Sequence, residues 1–134
     1  MKNGLRILAV EDETAVAQFL ALVLCGPHCK VTTAENGREA LAKMETDSQH
    51  FDIVITDHKM PNMTGLELVR ELRARDFEGK IAVLSAHLNE TTRQAYDELA
   101  VDLMLTKPFD VEELRRAVEV LASEAQVFAG GAGN

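Results

Sequence analysis

The chain is predicted to be an α/β protein in which five strand–helix units wind around one parallel sheet. Three observations predict it. Short apolar runs alternate along the 134 residues with stretches whose apolar positions recur at helical spacing. One run, Ile53-Val54-Ile55, is β-branched and uncharged, as a strand covered on both faces reads. Neither an interdomain linker nor an internal repeat divides the chain. Alternating β and α segments pair in parallel through right-handed crossovers, with helices on both faces of the sheet.

Leu5–Val10 is the first strand, and Glu11-Asp12-Glu13 follow at its carboxyl end. Val16, Phe19, Leu20, Val23 and Leu24 form the apolar stripe of the first helix, which Gly26-Pro27 ends. Lys30–Ala34 is the second strand, and Thr32-Thr33 suit an edge. Asn36 caps the second helix with Glu39 at the capping-box position, and Ala40, Leu41 and Met44 face inward. Asp47–Gln49 is loop, and the central strand runs from Phe51 into Asp57. Met60-Pro61 forbids an immediate helix, because a residue before proline is driven out of the α region. Thr64 and Glu67 then cap a third helix with Leu66, Val69 and Leu72 on its buried side. Ile81–Leu84 is the fourth strand, ending at Ser85. Glu90–Leu99 is a weaker helix carrying Ala95, Tyr96 and Leu99, and Leu103–Thr106 is the fifth strand. Asp110 and Glu113 cap the last helix, whose stripe is Val111, Leu114, Val118 and Leu121.

The most apolar strands (first, third and fourth) belong in the middle and the more polar second and fifth at the edges. The order 2-1-3-4-5 satisfies this and is the flavodoxin-like, doubly wound arrangement. One domain is expected over residues 1–128, with 129–134, small and glycine-rich, as a flexible C-terminal tail.

Composition excludes several functions. The formal charge is −8, from 14 Lys+Arg against 22 Asp+Glu, which disfavours nucleic acid and anionic membrane as partners. The first residues lead straight into the first strand without the apolar core of a signal peptide, and no apolar run is long enough to span a bilayer. A cytoplasmic location is the expectation. Cys25 and Cys29 flank Gly26-Pro27-His28, one residue too long for a two-residue redox motif, and are expected to be reduced thiols at a turn.

The topology sends four strands to one rim, and the rim collects Glu11, Asp12, Asp57, Ser85 and Lys107. Three carboxylates together repel, so positive charge belongs among them. A divalent cation and Lys107 supply it, and few, hard oxygen ligands favour Mg²⁺, which also takes a phosphate oxygen. The remaining hydroxyl and ammonium suit a phosphoryl group, with Asp57 as nucleophile and catalysis by positioning and charge neutralisation. Each residue alone has an ordinary explanation: turn former, helix-end acid, cap, solvated charge. Their coincidence at matching strand ends does not.

These motifs are Glu11-Asp12, Asp57 with Met60-Pro61 and Gly65, Ser85-Ala86, and Lys107-Pro108-Phe109. With them the chain resembles a receiver domain of the response regulators of two-component signalling, over about Leu5 to Ala122. The resemblance implies that Asp57 accepts a phosphoryl group from a histidine kinase or histidine phosphotransfer protein. It implies that Asp12, Asp57 and the carbonyl of Lys59 hold Mg²⁺, with Glu11 acting through water. Lys107 and Ser85 would contact the phosphoryl group, and Lys107–Pro108 would be a cis peptide. The sequence shows no effector domain, so the chain is expected to resemble either a stand-alone regulator that signals by docking or the receiver part of a longer protein cut where a linker begins at the glycine-rich tail, with its downstream partner unspecified.

One departure concerns the switch. The family carries an aromatic residue three before its lysine, where this chain has Met104, so activation is expected to run from Ser85 to Asn89 without an aromatic swing, Met104 staying buried. Nothing in the sequence shows Tyr96 substituting. Lys59 and His87 flank the line along which water would approach the phosphorus and are expected to lengthen the phosphorylated lifetime. His28, His50, His58 and His87 share no metal-ligand spacing.

Two alternatives use the same features: a Mg²⁺-dependent aspartyl-phosphate phosphohydrolase and a phosphorylation-independent binding module. The first would carry an acid two residues after the nucleophile, where Lys59 stands. Intact Asp57 and Lys107 argue against the second.

Overall fold

The structure, a computed structural model, describes residues 4–24, 29–46 and 50–133, with side chains through Glu124. The strands are β1 (Leu5–Val10), β2 (Cys29–Ala34), β3 (Ile53–Asp57), β4 (Lys80–Ser85) and β5 (Leu103–Thr106). The helices are α1 (Thr14–Val23), α2 (Gly37–Thr46), α3 (Gly65–Ala74), α4 (Glu90–Glu98) and α5 (Val111–Gly133). All five strands pair in parallel in the order β2-β1-β3-β4-β5, as the hydrophobic pattern predicts.

The period of two in the strands divides the core into two layers. Leu8, Val10, Val54, Ile81 and Val83 point to the face covered by α2, α3 and α4, through Ala40, Leu41, Leu68, Val69, Leu72 and Tyr96. Ile7, Ala9, Ile53, Ile55, Ala82 and Leu84 point to the face covered by α1 and α5, through Leu20, Leu114, Val118 and Leu121. Burying each large aliphatic side chain is worth about 1.5–3 kcal/mol, so these two layers hold the sheet between the helices. Every residue of β3 is buried, whereas β2 and β5 are partly exposed edges.

The caps form where the sequence places them. The Thr64 hydroxyl accepts from Glu67 N and the Glu67 carboxylate accepts from Thr64 N, a complete capping box. Asn36 and Asn89 each accept from the backbone N–H three residues on, as does Asp110 from Glu113 N. At the opposite rim, Asp52 and Asp102 accept from Arg6 N and Ile81 N through their side chains and extend the ladder past the strand ends. Lys107–Pro108 is cis, as the resemblance implies.

Four expectations change. Phe19 is 44% exposed, because the sheet-facing side of α1 is taken by Ala17 and Leu20, and Phe19 lies off that line. Met104 is half-buried at an edge strand, against the same core layer as Tyr96. Cys29 is disulfide-bonded, not a free thiol. Helix α5 continues to Gly133, across the segment expected as a tail; the helix-forming run before it carries the backbone pattern on despite its glycines. Cys25, Gly26-Pro27, His28 and the Asp47–Gln49 loop lie outside the described residues.

Gly65 joins this frame to the rim. A Cβ built there would lie 2.5 Å from the Asp57 carbonyl oxygen, 2.8 Å from the Tyr96 hydroxyl and 2.9 Å from His58 Cα. Two of those neighbours are backbone and cannot swing away. Gly65→Ala should therefore destabilise the fold by about 1–3 kcal/mol, the usual cost of overpacking a tight site. A shift of the urea midpoint measures it, and an unchanged midpoint would show that the loop yields freely.

Candidate functional site

Two strand ends bring the three acids together. β1 delivers Glu11 and Asp12, and β3 delivers Asp57. One carboxylate oxygen from each lies within 4.8 Å of the others. Glu11 is buried and Asp57 nearly so, while Asp12 is exposed. Glu11 is held by its main chain, which donates to Ala34 O of β2 at 2.9 Å, and its own carboxylate accepts from Glu13 N at 3.2 Å.

Burial, with the nearby Asp57 charge, pushes the Glu11 carboxyl up from 4.5 to about 7, against the opposing pull of Glu13 N–H and Lys107. Such a donor set, all hard oxygen and short of positive charge, fits Mg²⁺.

The cation present is Lys107. Its Nζ donates to Asp57 Oδ1 at 3.2 Å, and its own N–H donates to Ser85 O at 2.6 Å. The lysine is thereby tied to the end of β4 as well as to the acid at the end of β3. Asp57 Oδ1 also accepts from His58 N at 3.0 Å, and His58 N bridges to Leu84 O at 3.2 Å. Gly65 N donates to His58 O at 2.8 Å, closing the loop behind the acid. Met60 is buried and approaches the Thr56 hydroxyl at 3.9 Å, and Asn62 absorbs the turn with φ of 69°.

Of the residues predicted for the site, Glu11, Asp12, Asp57 and Lys107 meet directly. Ser85 is buried at the end of β4, beside Asp57 through the β3–β4 ladder, in which Asp57 pairs with Leu84. Lys59 and His87 are exposed.

His58 has a definite partner. Its Nδ1 lies 2.5 Å from the Tyr96 hydroxyl, with the rings edge to face, 5.6 Å between centroids. Tyr96 is fully buried, and burial together with the Asp57 charge holds its hydroxyl protonated well above the usual range. A single tyrosine on the apolar side of a polar helix signals a buried hydroxyl in need of a partner. Which residue 38 positions away supplies it is not readable from spacing.

Comparisons with known proteins agree with this geometry. The family model described as response regulator receiver domain matches residues 7–119. The alkaline phosphatase synthesis transcriptional regulatory protein SphR of Synechococcus elongatus is 36% identical over 90% of this chain and 50% of its own length. The transcriptional regulatory protein KdpE of Staphylococcus aureus is 38% identical over 87% of this chain and 49% of its own. The chain thus spans about half the length of these curated relatives. Among solved structures, the Vibrio cholerae chemotaxis protein CheY4 superposes with a TM-score of 0.79 at 31% identity, covering 88% of this chain and 98% of CheY4. Response regulator protein TrrA of Thermotoga maritima, solved in complex with Mg²⁺-BeF, gives 0.74 at 36% identity, covering 87% and 98%.

The raised Glu11 carboxyl predicts a pH effect with a definite sign. The folded state binds that proton more tightly than the unfolded chain, so the stabilisation is complete below about 4.5 and is lost as pH rises through about 7. Glu11→Gln cannot ionise and should flatten this decline when urea unfolding is followed between those pH values without divalent cations. An undiminished decline in the variant would place the proton on another group.

Proposed function

The chain belongs to the response regulator receiver domain family, and from that premise we propose that Asp57 is its phosphoacceptor. Receiver domains are phosphoaccepting signalling modules of two-component systems, and no feature favours a hydrolase or a phosphorylation-independent module. The observation that carries the residue assignment is the convergence of Glu11, Asp12 and Asp57 within 4.8 Å, with Lys107 Nζ on the central acid.

The donor is a histidine kinase or a histidine phosphotransfer protein. One Asp57 carboxylate oxygen attacks the phosphorus, an O–P bond forms, and the N–P bond to the donor imidazole breaks, its electron pair returning to the ring nitrogen. Asp57 is held by a buried strand and by the Lys107 and His58 hydrogen bonds, so little orientational freedom is lost on reaching the attacking geometry. Lys107 follows the developing charge onto a phosphoryl oxygen, and the Ser85 hydroxyl donates to another. Glu11, through water, with Asp12, Asp57 and the Lys59 carbonyl, would hold Mg²⁺, which supplies charge neutralisation at the transferring group. Phosphorylation then changes docking to a downstream protein. Among the described residues no helix is long and apolar enough to cross a membrane; the proposed site of action is the cytoplasm.

Incubation with Mg²⁺ and acetyl phosphate should add one phosphoryl mass, and Asp57→Asn should abolish it. Full labelling of Asp57→Asn in the intact mass would overturn the assignment.

Lys59 and His87 are both exposed beside this rim and can obstruct an incoming water. Lys107, with a Mg²⁺ ion if the acids hold one, would already neutralise the charge that a further lysine could stabilise, so obstruction is the larger effect. Lys59→Asn should shorten the phosphorylated lifetime severalfold; tenfold would correspond to about 1.4 kcal/mol of barrier. First-order loss of phosphate after donor removal measures it, and a longer lifetime would show that Lys59 assists the water.

A further inference from the structure

We infer that the hydrogen bond between His58 and Tyr96 carries the phosphorylation state of Asp57 to helix α4, in the role the Ser85–residue 104 pair leaves open. The inference rests on Asp57 being the phosphoacceptor.

His58 is bound to the acid through its own main chain. Its N–H is shared between Asp57 Oδ1 at 3.0 Å and Leu84 O at 3.2 Å, and its carbonyl accepts from Gly65 N. A phosphoryl group on Asp57 draws negative charge away from the carboxylate and outward onto new oxygens, so the His58 N–H and Lys107 must both adjust. The peptide cannot move without its side chain. That side chain ends 2.5 Å from the Tyr96 hydroxyl, which packs against Gly65, where a Cβ would lie 2.8 Å from it.

Tyr96 is also what anchors the body of α4 in the core. It is the one fully buried residue of that helix, while α3 buries four. A shift of the Tyr96 ring therefore moves α4 as a unit, or releases it. Met104 lies against the same core layer, and its flexible thioether can fill whatever space the ring vacates without directing the motion. His58 is here a positioning residue; Tyr96 is the element it positions. A bistable packed side chain biased by a local charge is the physical requirement for such coupling.

The chain offers an unusually clean probe, since Tyr96 is its single tyrosine and it has no tryptophan. Tyrosine emission of the full chain is followed as Mg²⁺ and acetyl phosphate are added, with intact mass giving the phosphorylated fraction. Emission should change in proportion to that fraction, and His58→Ala, which keeps the main-chain N–H that holds Asp57 and removes only the imidazole, should lose the change while still gaining phosphoryl mass. Amide hydrogen exchange across 89–99 gives a second readout. Its phosphorylation response should fall severalfold in Tyr96→Phe, which keeps the ring and removes only the hydroxyl, and should persist in Met104→Leu. Constant emission at complete phosphorylation would overturn the inference. So would an α4 response of full size in Tyr96→Phe, or one lost equally in Met104→Leu. Failure of the wild type to gain mass would instead overturn the phosphoacceptor assignment on which the coupling depends.

Discussion

Everything at the functional rim depends on holding three carboxylates closer together than their charges favour. The sheet does this by main force: Glu11 and Asp57 sit at the ends of two of the three central, buried strands, whose apolar faces cannot retreat without exposing the core. Lys107 offsets part of the repulsion, but its side chain is about one-third exposed and its pair with Asp57 is correspondingly screened. Burial is the main reason the Glu11 carboxyl is raised, and the nearby Asp57 charge adds to it, so the site favours a proton or a cation. The site therefore stores a demand for positive charge, and stability of the fold is what maintains it.

That demand also explains why the surrounding loops are so fully tied. The 58–65 loop is pinned at His58 N, at Gly65 N and at buried Met60, and the loop after β5 is pinned through Lys107 N to Ser85 O. The His58 N–Leu84 O and Lys107 N–Ser85 O bonds each span from one strand end to the next, so the acids, the hydroxyl and the ammonium keep a shared reference. Phosphoryl transfer asks for little more than such positioning.

How much of this was legible follows from where each signal lies. Strand order and caps are local or compositional: the uncharged Ile53-Val54-Ile55 run places β3 at the centre, and Thr64 with Glu67 fixes the start of α3. The rim residues were readable because parallel topology converts a position in sequence, just after a strand, into a position in space. What topology does not convert is side-chain direction. Phe19 fits the helical period loosely and is exposed because α1 turns Ala17 and Leu20 inward. The pairing of His58 with Tyr96 depends on the rotation of α4 against the 58–65 loop, which no periodicity encodes, and the disulfide at Cys29 is one that the cysteine spacing argued against.

Helices α3 and α4 are attached to the sheet by different means, and the difference gives motion a direction. α3 has a complete capping box and buries Gly65, Leu68, Val69 and Leu72, so it belongs to the rigid frame. α4 has a single-sided cap and one buried side chain. Its carboxyl end, however, is gripped by α3: Arg73 donates from Nε to Leu99 O and from Nη2 to Ala100 O, both at 2.8 Å. Bonds from a charged donor to two adjacent carbonyls resist sliding more than neutral ones do. A displacement of α4 that spares them must pivot about 99–100 and swing the amino end at Asn89. That end continues from Ser85 through His87 and Leu88, so the part of the helix freest to move is the part whose connection begins beside Asp57.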